Sequence, residues 1–401
     1  MNTKGGYFNK LYTINSYYMK NSLCLIAFIL LTSCNNQPTK EKKASATYFR
    51  NKPLESPIPY KSEIIEFINV RDSIVLQGTL TYPDKETNSF PVVVLMHGTG
   101  RHDRDYSVYG HKPFLVIADY LSRNGIAVLR YDKRGCGESG GNFDLATYDD
   151  FASDGWSAVQ YLEDREDIDF HTIGIAGHSE GGSTGPMVEA KHELDFLILL
   201  GAPGLPYPKA DSLYSSGMAK ARGYSIEQIV RESMVNDSII KLALEMELGQ
   251  PLEDSIYNLV HRNRRDLSEL KGLSGEELEE VIEWFYIEYY ARPAFKEFWE
   301  GPSPEEYLKQ VRCPVLSIGG TLDLNVPGAE SVAAIDLALK EGGNTEVTSV
   351  LLPNLNHMLQ PAKTGLPEEV DSIELTIEPD VLILIKDFIL KQSNRNTPSG
   401  K

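Results

Sequence analysis

Cysteine is scarce in this chain, basic residues are outnumbered, and the apolar run near its start is too short to cross a bilayer. Four cysteines are spread over 401 residues. Cys24 lies inside that run and Cys34 just behind it, leaving Cys136 and Cys313 for the body of the chain. The first follows a strand-like run and the second precedes one, so they fall at opposite ends of a sheet, whereas a disulfide needs α-carbons within about 7 Å. A bridge between them is not expected even in an oxidising compartment. Lys and Arg number 39 against 57 Asp and Glu, a net charge of −18. Such acidity disfavours nucleic acid and anionic lipid as partners and favours solubility. The run Leu23 to Leu31 is nine residues long, where a spanning helix needs about 20. No internal repeat is apparent.

The same run reads instead as the core of an export signal. Met19-Lys20-Asn21-Ser22 supplies a charged start, and Leu31-Thr32-Ser33-Cys34 resembles a bacterial lipobox. The expectation is a signal peptide over residues 1–33, with Met19 as the true start. Cys34 is then the lipidated residue, followed by a polar tether over 34–59 and the main domain over 60–401. A cleaved soluble signal with an incidental cysteine is the alternative. Removing 1–33 takes away three lysines and no acid, moving the net charge from −18 to −21. Membrane attachment would therefore come from acyl chains, with the protein exported and facing the periplasm or the cell surface.

With 41% apolar residues the chain can bury a full core, and alternating strand-like runs and amphipathic segments predict an α/β domain with a mostly parallel sheet flanked by helices. Ile64 to Val70 and Ile74 to Tyr82, around Arg71-Asp72-Ser73, read as an opening hairpin. The helix after Thr147, whose start reads as a capping box, puts Phe151, Gly155, Val159 and Leu162 on one stripe. The most informative stretch is Gly177-His178-Ser179-Glu180-Gly181, directly after the apolar Ile173 to Ala176. A strand turning this sharply into a helix strains the serine and needs glycine two residues to either side. A serine hydroxyl presented there needs a base, and the base needs an orienting acid. Strand-like Pro314 to Ile318 leads to Asp323, and Val347 to Leu352 leads to His357, which gives the chain order serine, acid, histidine. Asp195 and Glu330 are weaker candidates for the acid. Upstream, Pro91 to Met96 leads into His97-Gly98-Thr99-Gly100, a loop placed to give one backbone N–H to an oxyanion hole. Thr99 and Glu180 are the expected donors, with Gly98 as alternative to Thr99.

Taken together, H-G-T-G, Y-D-K-R-G-C-G-E-S-G-G, G-H-S-E-G-G, G-x-x-D-x-x-V-P and L-N-H resemble the bacterial α/β-hydrolase-fold serine esterases of the carboxylesterase and feruloyl-esterase-like group, from about Ile64 to Ile389. The resemblance implies ester hydrolysis through an acyl-enzyme, with no cofactor and no metal. It leaves the ester open. Gly135 to Gly140 also matches G-x-G-x-x-G, but the next helix starts only at Thr147, whereas a dinucleotide site needs the glycines to open it. His102, Asp103, Asp105 and His111 could ligate a metal, but their spacing fits no zinc pattern. A polar loop over the active site is the simpler expectation.

The separation of Ser179 from Asp323 exceeds one strand-helix-strand step. Residues 204–312 are mostly helical in pattern, including Ser225 to Leu248 and a run capped at Ser274-Gly275-Glu276-Glu277, and are expected as an inserted cap. Its aromatics, Trp284, Phe285, Tyr286, Tyr289, Tyr290, Phe295, Phe298 and Trp299, would line an acyl or aryl pocket or form the cap's own core. The expectation is a lipid-anchored hydrolase of short-chain or aryl carboxylic esters. A serine peptidase or acyltransferase of the same fold and a non-catalytic surface binding lipoprotein are the alternatives.

Overall fold

The computed structural model describes residues 48–85, 89–245, 252–283 and 289–396. Cys34, the signal and most of the tether lie outside them, as do Trp284, Phe285 and Tyr286. Among the described residues, no helix is long and apolar enough to cross a membrane.

Eight strands form one sheet in the order β1-β2-β4-β3-β5-β6-β7-β8. β1 (Tyr60–Asn69) and β2 (Ile74–Pro83) are the expected hairpin, in register from Tyr60 opposite Pro83 to Asn69 opposite Ile74. β2 pairs antiparallel with β4 (Ala127–Tyr131). From there β3 (Ser89–Met96), β5 (Asp169–His178), β6 (Phe196–Leu200), β7 (Val315–Gly320) and β8 (Val347–Leu352) run parallel. Continuous runs such as Val92-Val93-Val94-Leu95 suit strands covered on both faces.

Alternation along these strands feeds two cores. Val92, Val94, Ile175, Leu197 and Leu199 pack against α2 (Tyr148–Glu163), α3 (Glu180–Glu189) and α10 (Gly328–Glu341). Val93, Leu95, Ala176, Ile198 and Leu200 pack against α1 (Pro113–Arg123) and α11 (Pro379–Asn396). Helix α2 begins as the sequence predicts. Thr147 caps it, accepting from the Asp150 N–H while the Asp150 carboxylate accepts from the Thr147 N–H. Phe151, Val159 and Leu162 of its stripe are buried.

Between β6 and β7 the described chain runs through α4 (Tyr207–Ala221), α5 (Ile226–Glu245), α6 (Leu252–Asn263), α7 (Glu276–Val281), α8 (Pro293–Glu300) and α9 (Pro304–Leu308). Ile239, Ile240, Val260, Leu267, Leu278, Tyr290 and Phe295 give this segment a core of its own. Two expectations need correction. Helix α7 is capped by Gly275, at φ 59°, and Ser274 makes no capping box there. The described part of the tether is not free: buried Tyr48 donates to Asp119 at 2.7 Å and Arg50 pairs with Asp371 at 2.6 Å. A buried aromatic with a hydroxyl to satisfy anchors the chain some twelve residues before β1, which polar composition alone does not reveal.

Candidate active site

The carboxyl ends of β3, β5, β7 and β8 converge on one cavity, where ligands of open parallel sheets bind. Ser179 sits between β5 and α3 at φ 53°, ψ −117°, a region that costs a non-glycine residue of order 1–3 kcal/mol. The flanking glycines make this turn possible. A Cβ on Gly177 would collide with the Gly181 carbonyl, and one on Gly181 with the Met96 carbonyl at the end of β3. The strained turn is held in place by the Ser179 N–H donating to Leu200 O at 2.9 Å.

Asp323 and His357 meet across the ends of β7 and β8. Asp323, with no exposed side-chain surface, accepts His357 Nδ1–H at 2.9 Å through Oδ2 and the Val326 N–H at 2.9 Å through Oδ1. The approach depends on Gly201, at φ +52°, where a Cβ would stand 3.3 Å from Asp323 Oδ2 and 3.4 Å from His357 Nδ1. With Nδ1 carrying the proton, Nε2 of His357 is the free base. Ser179, His357, Thr99 and Glu180 line a single cavity of about 960 Å³. Asp195 instead accepts the Ile173 N–H, and Glu330 is exposed on α10. His192 lies just beyond α3 and stacks on Trp156.

Thr99 and Glu180, the expected oxyanion-hole residues, both border this cavity. Glu180 opens α3, so its N–H has no carbonyl four residues back within the helix to take it. The loop bearing Thr99 packs against the elbow, since a Cβ on Gly98 would lie 3.1 Å from Ser179 Cβ.

Three residues beside the site carry roles that motif reading missed. His178 is buried between Tyr106 Oη, 3.1 Å from its Nδ1, and the His357 carbonyl, to which Nε2 donates at 2.9 Å. Burial pushes its pKa down to about 3, so it is a neutral strut for the His357 backbone. Tyr106 reaches it from the loop after β3, a contact 72 residues apart in sequence. Lys133 places its ammonium between the Gly98 carbonyl and the Glu180 carboxylate. His178 and Lys133 belong to the motif strings at the elbow and after β4, whereas Tyr106 lies in none of the motifs and had no sequence signal.

The other decoys are structural. Gly135 to Gly140 form a loop ahead of α2, whose first residue is Tyr148. His102 donates to Thr99 O at 2.8 Å, His111 Nδ1 meets Thr376 Oγ1 at 3.0 Å, and Asp105 pairs with Arg130 and Lys112. Among the described residues, no cluster of three or more His, Cys, Asp or Glu is placed to hold a metal ion. Cys136 and Cys313 are both unbridged.

Comparison with known proteins agrees with the fold. Esterase EstD of Thermotoga maritima is 25% identical over 285 residues, 71% of this chain and 58% of that protein, so the match spans less than two thirds of the relative. Hypothetical protein PA2218 of Pseudomonas aeruginosa superposes with a TM-score of 0.51 at 16% identity, covering 86% of this chain and 96% of the other. Est1E of Butyrivibrio proteoclasticus, solved with ferulic acid bound, gives a TM-score of 0.48 at 19% identity over 82% of this chain and 99% of its own. The family model for X-Pro dipeptidyl-peptidase (S15 family) matches residues 72–357, from the tip of the opening hairpin to the histidine of the site. The chain belongs to that family, among the serine hydrolases of the α/β-hydrolase fold.

Proposed function

We propose that this chain hydrolyses carboxylic esters through an acyl-enzyme on Ser179. His357 Nε2 takes the Ser179 proton as Oγ attacks the ester carbonyl, and Asp323 holds the imidazole in the productive tautomer and stabilises the imidazolium. The Thr99 and Glu180 N–H groups receive the tetrahedral oxyanion. His357 returns the proton to the leaving alcohol, then activates water to release the acid. One observation carries the reading: a fully buried Asp323 holds His357 Nδ1 at 2.9 Å on the wall of the cavity into which a strained Ser179 opens. The likeness to an esterase supports it. For the substrate we propose short-chain or aryl esters, since Tyr148, Tyr289, Tyr290, Phe295, Phe298 and Trp299 line the same cavity.

The family match favours a second reading, amide hydrolysis as a serine peptidase. A panel of nitrophenyl acyl esters, feruloyl esters and aminoacyl or X-Pro amides separates the two. Esters should be cleaved with kcat/KM well above the amides. Amide turnover exceeding ester turnover would replace this proposal with the peptidase reading.

A further inference from the structure

Asp132, Lys133 and Arg134 follow β4 and are all buried, yet their partners differ in kind. Asp132 pairs with Arg104, and Arg134 with Asp154 and Asp72, which tie the β4 loop to neighbouring scaffold. Lys133 reaches the other way. Its ammonium donates to Gly98 O at 2.9 Å and to Glu180 Oε1, and it sits 4.1 Å above the Phe151 ring. Three donors thus meet two oxygens and an aromatic face, with the side chain 5% exposed.

Both oxygens belong to the two segments read above as the oxyanion hole, and the inference rests on that reading. A peptide unit is planar and trans, so pinning the Gly98 carbonyl fixes the Thr99 N–H on its opposite edge. The Thr99 carbonyl is held in turn by His102, and the His102 carbonyl accepts the Lys133 N–H at 3.1 Å. The loop is therefore clamped from its outer side. At the second segment, the same ammonium grips the side chain of the residue whose N–H opens α3. We propose that Lys133 is a positioning residue of the oxyanion hole, one ammonium setting the spacing and aim of the Thr99 and Glu180 N–H groups. The adjacent Glu180 carboxylate balances its charge, so geometry is what it contributes, not a net field on the oxyanion. Such placement matters because a shift of about 1 Å at a reacting centre can cost roughly 100-fold.

Lys133→Met alone strands a buried carboxylate and endangers the fold, so the informative variant is Lys133→Met with Glu180→Gln, which removes both charges. Turnover of a nitrophenyl acyl ester is measured per site titrated with a fluorophosphonate, alongside the inhibition constant of a trifluoromethyl ketone, whose serine adduct places an oxyanion in the hole. The double variant should lose about 10- to 100-fold in kcat with KM within about twofold, and the inhibition constant should rise by a similar factor. A merely structural role would lower the number of titratable sites and leave turnover per site intact. Wild-type kcat and inhibition in the double variant would overturn the inference alone. A wild-type protein that neither turns over esters nor labels at Ser179 would overturn the reading of the site and this inference with it.

Discussion

The Asp323 carboxylate accepts two hydrogen bonds, one from His357 Nδ1 and one from the Val326 N–H. An amide in its place would offer an NH₂ toward His357 and favour the tautomer with its proton on Nε2, facing the nucleophile. Asp323→Asn should therefore lower kcat by about 10⁴-fold while leaving the fold in place. Kinetics beside a thermal melt checks this, and a loss below about tenfold would show that Asp323 does not set the tautomer. The places of Ser179, Asp323 and His357 were legible because each lies in the turn or loop after a strand, in a fixed chain order. His178 was legible only as a neighbour of the serine. Its role depends on Tyr106 and on the His357 carbonyl, contacts 72 and 179 residues away in sequence that no local pattern encodes.

Strand ends follow the sequence where turn residues and apolar runs mark them, as in β3, β8 and the turn of the opening hairpin, whereas β1 begins at Tyr60, ahead of the expected Ile64, through the polar Lys61-Ser62-Glu63. The capping box at Thr147 was equally readable, since both reciprocal partners sit within four residues. The cap was harder. A similar serine-glutamate pattern at Ser274 gives way to Gly275, whose positive φ starts α7 without a side-chain cap. The cap aromatics also divide between two tasks: Tyr290 and Phe295 are buried in its own core and still border the cavity. This roof sets a prediction on the acyl group. Each buried methylene stabilises binding by about 0.8 kcal/mol while room remains, but a chain that outgrows the space must move α4 or α8 or pull its carbonyl off the N–H donors. Along a series of nitrophenyl esters, kcat/KM should peak at short acyl chains of roughly two to six carbons and fall beyond. A steady rise through long-chain esters would make the cap a moving lid and overturn this expectation.

Buried histidines and carboxylates give the whole molecule a pH signature. Burial lowers the pKa of His97 and His178 to about 3 and takes His102 well below its ordinary value. A histidine depressed in the folded state stabilises the fold above its unfolded value, about 6.5, and loses that contribution as pH falls below it. Asp211, pushed up to about 6 by burial and by Asp237, works in the opposite sense and gains stability over the same range. Burial lowers His111 and His192 too, and raises Asp154, Glu163, Glu189, Glu232 and Glu297. Between pH 7 and 5.5 the histidines dominate, because an unfolded histidine titrates inside that window and an unfolded carboxylate below it, each proton contributing about 1.4 kcal/mol per pH unit. Denaturant unfolding should give a lower free energy at pH 5.5 than at pH 7, by roughly 2 kcal/mol. A gain in stability on acidification would mean that these histidines are not held neutral.

The strained serine, the Asp323–His357 pair and the clamped loop serve one claim, that Ser179 is the nucleophile of a serine hydrolase. Fluorophosphonate labelling followed by peptide mass spectrometry tests it most directly. The expected result is a single adduct on Ser179, lost in Ser179→Ala together with at least about a thousandfold of ester turnover, the scale at which only binding and the oxyanion hole remain. An adduct elsewhere, or near-normal turnover in Ser179→Ala, would contradict it.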